Sequence, residues 1–473
     1  MNKFLTKWNI FTLINLMLLL AFGVALTYFF QSHTLTLNQN VKYETAVAAL
    51  YISISSGVAL FIFPPKGLKF NAETLINSAI FLMLLSTIMN VTTSIAITVL
   101  FIICIIIYAV VHKKFKKPHP LFYFIAGYYI FQLIGLSWSI DLNNGIHTID
   151  KGISFILIPI AFCVYEISDL TRKNLLKLYF RAMLVFIITS IIAYVYQVYF
   201  NGVGLFAGLG FNKFYLNSKL EDISSYYAIM RWSRYGHPTF ISFILTLCFG
   251  IGVFFHDKEK ESNTHISGFE LSVFALLSLL LIMLLQSRLG MALFPIGAFV
   301  SLLWLFRRKK KTFFFIFGLL ITMSLIGAIK VYKSHKDFFF DEPRSKMFDL
   351  TQKFIKEHLW FGTGTGGMRK VVVEFANPHN QYYGEILHLG IVGALVMTVL
   401  LGATIYFGIK ERNILLLFFM TLYLLLMLTE MPLTIQKGVT FFSLFVSLFI
   451  SPEWSDSYSN LNNTDKKLSD QTI

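Results

Sequence analysis

Residues 377–385, which read NPHNQYYGE, form a dense group of polar side chains directly before a long apolar stretch. Asn377 followed by Pro378 is typical of a helix start, because asparagine caps free N–H groups and proline tolerates the first helical position. The pattern predicts that His379 and Asn380 lie in the first helical turn, where the helix dipole disfavours positive charge. We therefore expect His379 to accept a proton, as a general base does. A surface histidine with only a capping role is the alternative.

Arginines in other segments could bind an anion beside this histidine. Arg288 lies in QSRLG, between two apolar stretches that almost no loop separates, and Arg231 and Arg234 lie in MRWSRYGHP. An unpaired charge at membrane depth costs roughly 2.5 to 3.5 kcal/mol, so Arg288 needs an anionic partner. A planar guanidinium group binds phosphate or diphosphate with two parallel hydrogen bonds. Pairing with a carboxylate on the same side is the alternative for each arginine.

The remaining candidates are less specific. Secondary site candidates are Arg231, Arg344, Asn380, Tyr383 and Glu385. The glycines in WFGTGTGGMRK (360–370) lack the Gly-Lys-Ser/Thr ending of a nucleotide-binding loop, so we expect a tight turn. The sequence has neither His-Glu-x-x-His nor an outward pair of acidic residues, which favours chemistry without a metal or other cofactor.

Composition indicates a membrane protein. Of the 473 residues, 56% are hydrophobic and 14% are charged, against roughly a quarter charged in soluble domains. Repeated apolar runs of helical membrane-spanning length predict an all-α polytopic protein, with a single membrane domain over 1–450 and a disordered tail over 451–473. Twelve to fourteen transmembrane helices are expected, with the fourteen near 8–30, 44–64, 71–90, 92–112, 121–138, 150–166, 177–199, 239–256, 269–286, 289–306, 312–330, 386–408, 413–430 and 436–450.

The distribution of basic residues predicts the orientation. The formal net charge is +15, and basic residues concentrate in alternate short loops such as KKFKK (113–117) and RRKKK (307–311). Basic loops stay on the cytoplasmic side, so both termini are expected there. Because the charge lies in loops and not on one soluble face, nucleic acid is not an expected partner. Two long segments, about 200–238 and 331–385, are then outside.

The second outer segment contains a predicted amphipathic helix. Asp341 and Pro343 are suited to a helix start. Met347, Leu350, Phe354 and His358 follow at helical spacing and form an apolar stripe. We expect this helix to lie at the membrane–water boundary.

The block HNQYYGEILHLGIVG has His379 and Asn380, nine further residues, Gly390, two residues and Gly393. This spacing resembles the O-antigen ligase superfamily, which includes O-antigen polymerases and protein O-oligosaccharyltransferases. LSWS (136–139), RYGHP (234–238), SRLG (287–290) and the helix that Arg344 opens before FGTGTG are similar to further features of the family. Leu359 and Leu289 depart from it, since the family commonly has proline at the first position and a small or aromatic residue at the second.

The resemblance implies a GT-C-like fold in the bacterial inner membrane, surrounded by membrane lipids. It implies transfer of a glycan from undecaprenyl diphosphate to a sugar of the lipid A core at the periplasmic face. By motif position, His379 would be the base, and Arg234 and Arg288 would bind the diphosphate. Polymerase and protein glycosylation activities remain open, as does transport of the lipid-linked glycan, although predicted spans carry few charges near their midpoints.

Overall fold

The computed structural model describes residues 72–89, 91–113, 115–200, 237–258, 266–285, 287–305, 342–371 and 379–450. Across these ranges the chain forms helices and turns, with no strand. The helices are α1 (Ala72–Ser86), α2 (Val91–His112), α3 (Pro120–Ile134), α4 (Leu142–Gly152), α5 (Ser154–Val164), α6 (Asp169–Phe200), α7 (Pro238–Lys258), α8 (Gly268–Leu284), α9 (Arg288–Leu305), α10 (Glu342–Glu357), α11 (Met368–Val371), α12 (Gln381–Lys410), α13 (Ile414–Met427) and α14 (Gln436–Phe449). A single 3₁₀ turn, Gly135–Trp138, continues α3.

The protein is an all-α polytopic membrane protein, as predicted. Among the described residues, the segments with sufficient length and apolar composition to cross a membrane are Ser94–His112, Pro120–Trp138, Leu142–Val164, Pro238–His256 and Gln381–Lys410. Shorter apolar helices occupy other predicted spans. The predicted spans at 8–30, 44–64 and 312–330 lie outside the described residues, as does the tail from 451. The total number of spans stays a prediction.

The chain divides into two compact units, of which unit one contains the described residues up to Cys104 and those from Lys173 to Leu305. Helix α7 is its buried centre, and it packs against α8 and α9. A helix that is apolar all round is suited to this position, because no face of it requires water. Arg181 on α6 binds Glu270 on α8, with 3.1 Å between Nε and Oε1.

Unit two contains Ile105–Arg172 and the described residues from Glu342 to Ile450. Helix α14 is buried from Lys437 to Phe449 and packs against α5, while α12 packs against α3 and α13. Phe419, Phe442 and Phe445 form part of an aromatic core between α13 and α14. All residues of the opening polar block that the structure describes belong to this unit.

Helix α12 is broken at Gly390, whose φ of 67° and ψ of −165° are not helical. The break frees N–H groups at the start of the second segment, and they find partners in the preceding loop: Ile391 N–H donates to Leu359 O at 2.9 Å, and Val392 N–H donates to Trp360 O at 3.3 Å. The Trp360 backbone lies so close that a Cβ atom on Gly390 would collide with it. Glycine is therefore required by both its dihedral angles and the close approach.

The residues FGTGTGG (361–367), here named the glycine-threonine turn, connect this break to the end of α3. Thr363 donates its N–H and its hydroxyl to Leu387 O at 2.9 and 3.0 Å. Thr365 donates its hydroxyl to Gln132 O at 2.7 Å, and Ser139 Oγ donates to Thr365 O at 2.7 Å. The prediction of a tight turn is confirmed. The motif LSWS thus binds the glycine-threonine turn.

Helix α10 confirms the predicted helix, but its buried stripe differs from the prediction. Met347, Thr351, Phe354 and Ile355 face the unit, and Met347 packs with Met368, Leu387 and Met431. Leu350 and His358, which were predicted to belong to the stripe, are exposed. The buried face of α10 differs from the predicted one because Thr351 can be buried. Its hydroxyl donates to Met347 O at 2.8 Å and so needs no water.

Candidate functional site

The start of α12 differs from the prediction by three residues. Asn380, and not Asn377, is the N-cap: its backbone is extended, and its side chain accepts a hydrogen bond from Tyr383 N–H at 3.1 Å. The same side chain donates through Nδ2 to Leu428 O at 3.0 Å, just beyond the end of α13. This second bond comes from a distant segment, and it selects Asn380 over the local Asn-Pro signal.

His379 consequently lies just before the helix instead of in its first turn. Its φ of 47° places it in the left-handed region, which is uncommon for a residue other than glycine. Such conformations cost roughly 1 to 3 kcal/mol and persist where surrounding contacts impose them. The contacts of Asn380 hold the adjacent residue in that conformation.

The His379 ring faces the carboxylate of Glu430. Nδ1 of His379 is 3.6 Å from Oε2 of Glu430, within ion-pair distance and longer than a direct hydrogen bond. The side chains are 34% and 10% exposed, respectively, so the pair lies at the edge of the unit with the carboxylate on its inner side. This arrangement leaves Nε2 as the ring nitrogen that does not face Glu430.

Behind the pair is a buried polar network. Gln381 is buried and accepts a hydrogen bond from Leu433 N–H at 2.9 Å through Oε1. Glu385 is also buried, and its Oε2 accepts from Tyr128 OH at 2.9 Å and from Gln381 Nε2 at 3.3 Å. The network therefore holds the first turn of α12 against α3 and against the loop between α13 and α14. Glu385, a secondary candidate, lies inside the unit.

Tyr383, another secondary candidate, lies beside α10. Its ring meets that of Phe348 edge to face, with 4.4 Å between ring centroids. Arg344 lies in the first turn of the same helix. Helix α10 is thus packed directly on the segment that carries His379.

Of the predicted anion-binding arginines, Arg288 begins α9 in unit one, and its side chain is exposed. Gly290, two residues further on, packs against Ser242 of α7. Arg231 and Arg234 lie outside the described residues. The convergence of Arg234 and Arg288 on His379 stays a prediction.

Sequence reasoning missed Glu430 and Tyr128. Glu430 ends a predicted apolar span, and an isolated carboxylate at that position was a usable signal of function. Local pattern does not connect Glu430 with His379, because Glu430 is distant along the chain and lies beyond the predicted outer segment. Tyr128 gave no signal of its own, since aromatic residues are frequent throughout these helices.

The arrangement at the start of α12 suits proton transfer. A histidine whose Nδ1 faces a carboxylate presents Nε2 to a substrate, and the carboxylate stabilises the imidazolium ion that forms. Catalytic contacts often shorten in the reacting complex, so a distance of 3.6 Å between Nδ1 and Oε2 is compatible with this role. Among the described residues, no group of three or more metal-ligating side chains accompanies the pair.

Residues 273–398 match the family model described as O-antigen ligase. The matched region begins in α8, includes Arg288, Arg344 and His379, and extends past the Gly390 break. No curated protein matches the chain.

Proposed function

Since this chain belongs to the O-antigen ligase superfamily, we propose that it transfers an O-antigen-like glycan from undecaprenyl diphosphate to a sugar of the lipid A core. The family is one of membrane-bound ligases and polymerases. The observation that carries the proposal is the pair of His379 and Glu430 at the start of α12. The reaction is proposed for the periplasmic face of the inner membrane, with both termini cytoplasmic.

In the proposed reaction, Nε2 of His379 takes the proton of the acceptor hydroxyl while the hydroxyl oxygen attacks the anomeric carbon of the glycan. The bond between that carbon and the diphosphate oxygen breaks, and undecaprenyl diphosphate leaves with the electron pair. Glu430 stabilises the imidazolium ion, because opposite charges a few ångströms apart at a partly buried site attract strongly. The proton is later released to water.

The departing diphosphate needs cations, and the proposal assigns this role to Arg234 and Arg288. Each guanidinium group would bind diphosphate oxygens in the bidentate geometry that phosphate favours. Charge on the leaving group increases along the reaction, so these contacts strengthen in the transition state. The substrate's own lipid tail would hold the diphosphate at the membrane surface. Arg231 and Arg344 are further candidates for the same anion.

An O-antigen polymerase would use the same donor and the same leaving group, and it differs in the acceptor. Protein O-glycosylation differs in the acceptor as well. These alternatives are therefore separated by identifying which molecule gains the glycan. A transporter for the lipid-linked glycan would form no new glycosidic bond.

The first prediction concerns His379→Ala in the purified protein, reconstituted with lipid-linked glycan and three acceptors: lipid A-core, a second lipid-linked glycan and an acceptor peptide. We expect transfer to lipid A-core, and we expect the variant to lose about 10²- to 10⁴-fold in rate, the usual contribution of a general base. Gel separation and mass spectrometry of the products measure both results.

His147→Ala is the matched control, because His147 is an exposed histidine on α4 of the same unit. It should retain the wild-type rate. Near-normal transfer by His379→Ala would refute the base assignment, whereas transfer only to a second glycan or to peptide would refute the ligase assignment alone.

A further inference from the structure

A cavity of about 500 Å³ lies in unit two, far from His379. Its size falls in the range of roughly 300 to 1,000 Å³ that small-molecule sites have. It is formed by the loop before α3, the end of α5, the loop before α6 and the end of α14; the lining includes Lys116, Lys117, His119, Glu166, Arg172 and Ser447.

Helix α13 separates this cavity from His379. At its start, Asn413 Nδ2 donates to Phe449 O, next to Ile450 in the cavity wall. Just past its end, Leu428 O accepts from the residue that follows His379. The 14 residues of α13 span about 21 Å at 1.5 Å per residue. The two sites therefore lie at opposite ends of unit two.

The charged residues that line the cavity are mainly cationic. Lys116 pairs with Glu166, and His119 Nε2 lies 2.7 Å from Glu411 Oε1. Lys117 also lines the cavity, and in the described part of the chain no carboxylate pairs with it. Arg172 is 1% exposed and donates to Ile167 O at 3.1 Å. Two lysines and a buried arginine against one lining carboxylate favour an anionic ligand.

Ser447 provides an independent sign of a polar ligand. It is 2% exposed and lines the cavity, and its Oγ has no hydrogen-bond partner among the described residues. Most buried hydroxyl groups have a partner, because burying one without a hydrogen bond costs roughly 1 to 3 kcal/mol. A ligand oxygen in the cavity would supply that partner.

Apolar side chains around the cavity indicate that the ligand has a lipid tail. Phe115 is 63% exposed within the lysine-rich KKFKK segment, and Tyr123 and Ile160 are also exposed nearby along the chain. In a membrane protein such side chains face acyl chains or the headgroup boundary, and adjacent lysines extend to the phosphate level. A free phosphate would use the cations but not this rim.

We propose that the cavity binds the phosphodiester headgroup of an anionic membrane phospholipid, with Lys117, Lys116 and Arg172 as its cationic ligands and Ser447 as a hydrogen-bonding partner. Basic pockets between membrane helices bind such headgroups elsewhere. The acyl chains would lie along the exposed faces of α3 and α5. This site is separate from glycan transfer and does not depend on the proposed function.

The test is native mass spectrometry of the purified full chain in neutral detergent, with equal amounts of phosphatidylglycerol and phosphatidylcholine. Wild-type protein should retain phosphatidylglycerol preferentially. Each surface lysine contributes about 1 kcal/mol to such binding, equivalent to about fivefold. Lys116→Ala with Lys117→Ala should therefore lower the preference by about 25-fold.

The matched control is Lys151→Ala with Lys353→Ala, which removes the same charge from exposed positions outside the cavity lining. Equal retention of both lipids by wild-type protein, or an equal loss in this control, would overturn the proposal. Ser447→Ala removes one oxygen and should weaken retention, even if the lysine pair impairs folding; unchanged retention would contradict the role of Ser447. Displacement of the lipid by millimolar inorganic phosphate would instead indicate a small-anion site.

Discussion

His379 combines a rare backbone conformation with a carboxylate partner. The left-handed φ of 47° turns the chain just before α12, and Asn380 maintains this geometry by capping the helix and binding Leu428 O. The strained residue is thus held through the contacts of the residue that follows it. Such an arrangement is typical of functional positions, where surrounding structure imposes a conformation that the residue itself disfavours.

The prediction at this scale is that Glu430→Gln lowers kcat for glycan transfer and leaves KM nearly unchanged. Glu430 acts through His379, so it is a positioning residue, and its charge matters most when the imidazolium ion forms. In the reacting complex, where catalytic contacts shorten, a hydrogen bond from the imidazolium ion to Glu430 would contribute about 1.5 to 3 kcal/mol, which corresponds to about 10- to 150-fold in rate. Steady-state kinetics with the lipid-linked donor measure the effect.

Glu357→Gln is the control, because Glu357 is exposed at the end of α10. Glu430→Asp retains the charge and should recover part of the rate. A variant Glu430→Gln with wild-type kcat, or one that changes KM alone, would contradict the positioning role.

At the scale of elements, the break in α12 explains the glycines of the motif. Gly390 allows the chain to turn, and the glycine-threonine turn then binds the peptide groups that the break releases. Gly364 and Gly366 in that turn also have positive φ and lie directly against the backbones of Ser139 and Gly145. Backbone contacts join four sequence segments here, and a side chain on any of these glycines would prevent them.

We predict that Gly390→Ala lowers the thermal midpoint of the purified protein and that Gly402→Ala does not. Alanine at 390 would be strained by about 1 to 3 kcal/mol and would collide with Trp360. Gly402 is on the same helix and has no atom within 4 Å of an added Cβ. Thermal unfolding in detergent, followed by intrinsic fluorescence, compares the two variants. Equal midpoints for both variants would show that the break tolerates a side chain.

At the scale of the whole molecule, the orientation in the membrane remains the property that most directly determines function. Unit two has the His379 site at one end and a cationic cavity at the other, which agrees with the charge pattern that predicts an outer and a cytoplasmic side. A periplasmic His379 would meet lipid-linked glycans, and a cytoplasmic cavity would meet the anionic lipids of the inner leaflet.

Cysteine labelling tests this orientation. Lys370→Cys should react with a membrane-impermeant maleimide in intact spheroplasts, because Lys370 is exposed and belongs to the predicted outer segment 331–385. Lys117→Cys, next to the cavity, should react only after permeabilisation. The native cysteines Cys104, Cys163 and Cys248 are buried and give a low background. The reverse labelling pattern would contradict both the positive-inside assignment and the proposed periplasmic reaction.

Local patterns predicted most of the helices that the structure describes, because these stretches are long and apolar. They also identified the amphipathic helix α10, whereas the role of His379 stays a prediction. They failed where the local sequence offers two options: Asn377 and Asn380 are both suitable cap residues, and α10 could bury either Leu350 or Thr351. For the cap, the deciding contact is with Leu428 O of a distant segment, and for α10 it is the hydrogen bond within the helix from Thr351 to Met347 O.

The sequence by itself determined that the chain is an all-helical membrane protein, because apolar length and backbone hydrogen bonding allow no other solution for these stretches. It also determined that glycine stands at the α12 break. Only the tertiary structure decided that Asn380 caps α12, that Glu430 faces His379, and that Tyr128 and Gln381 enclose Glu385. These pairings join residues that are far apart along the chain, and packing between helices brings them within reach of each other.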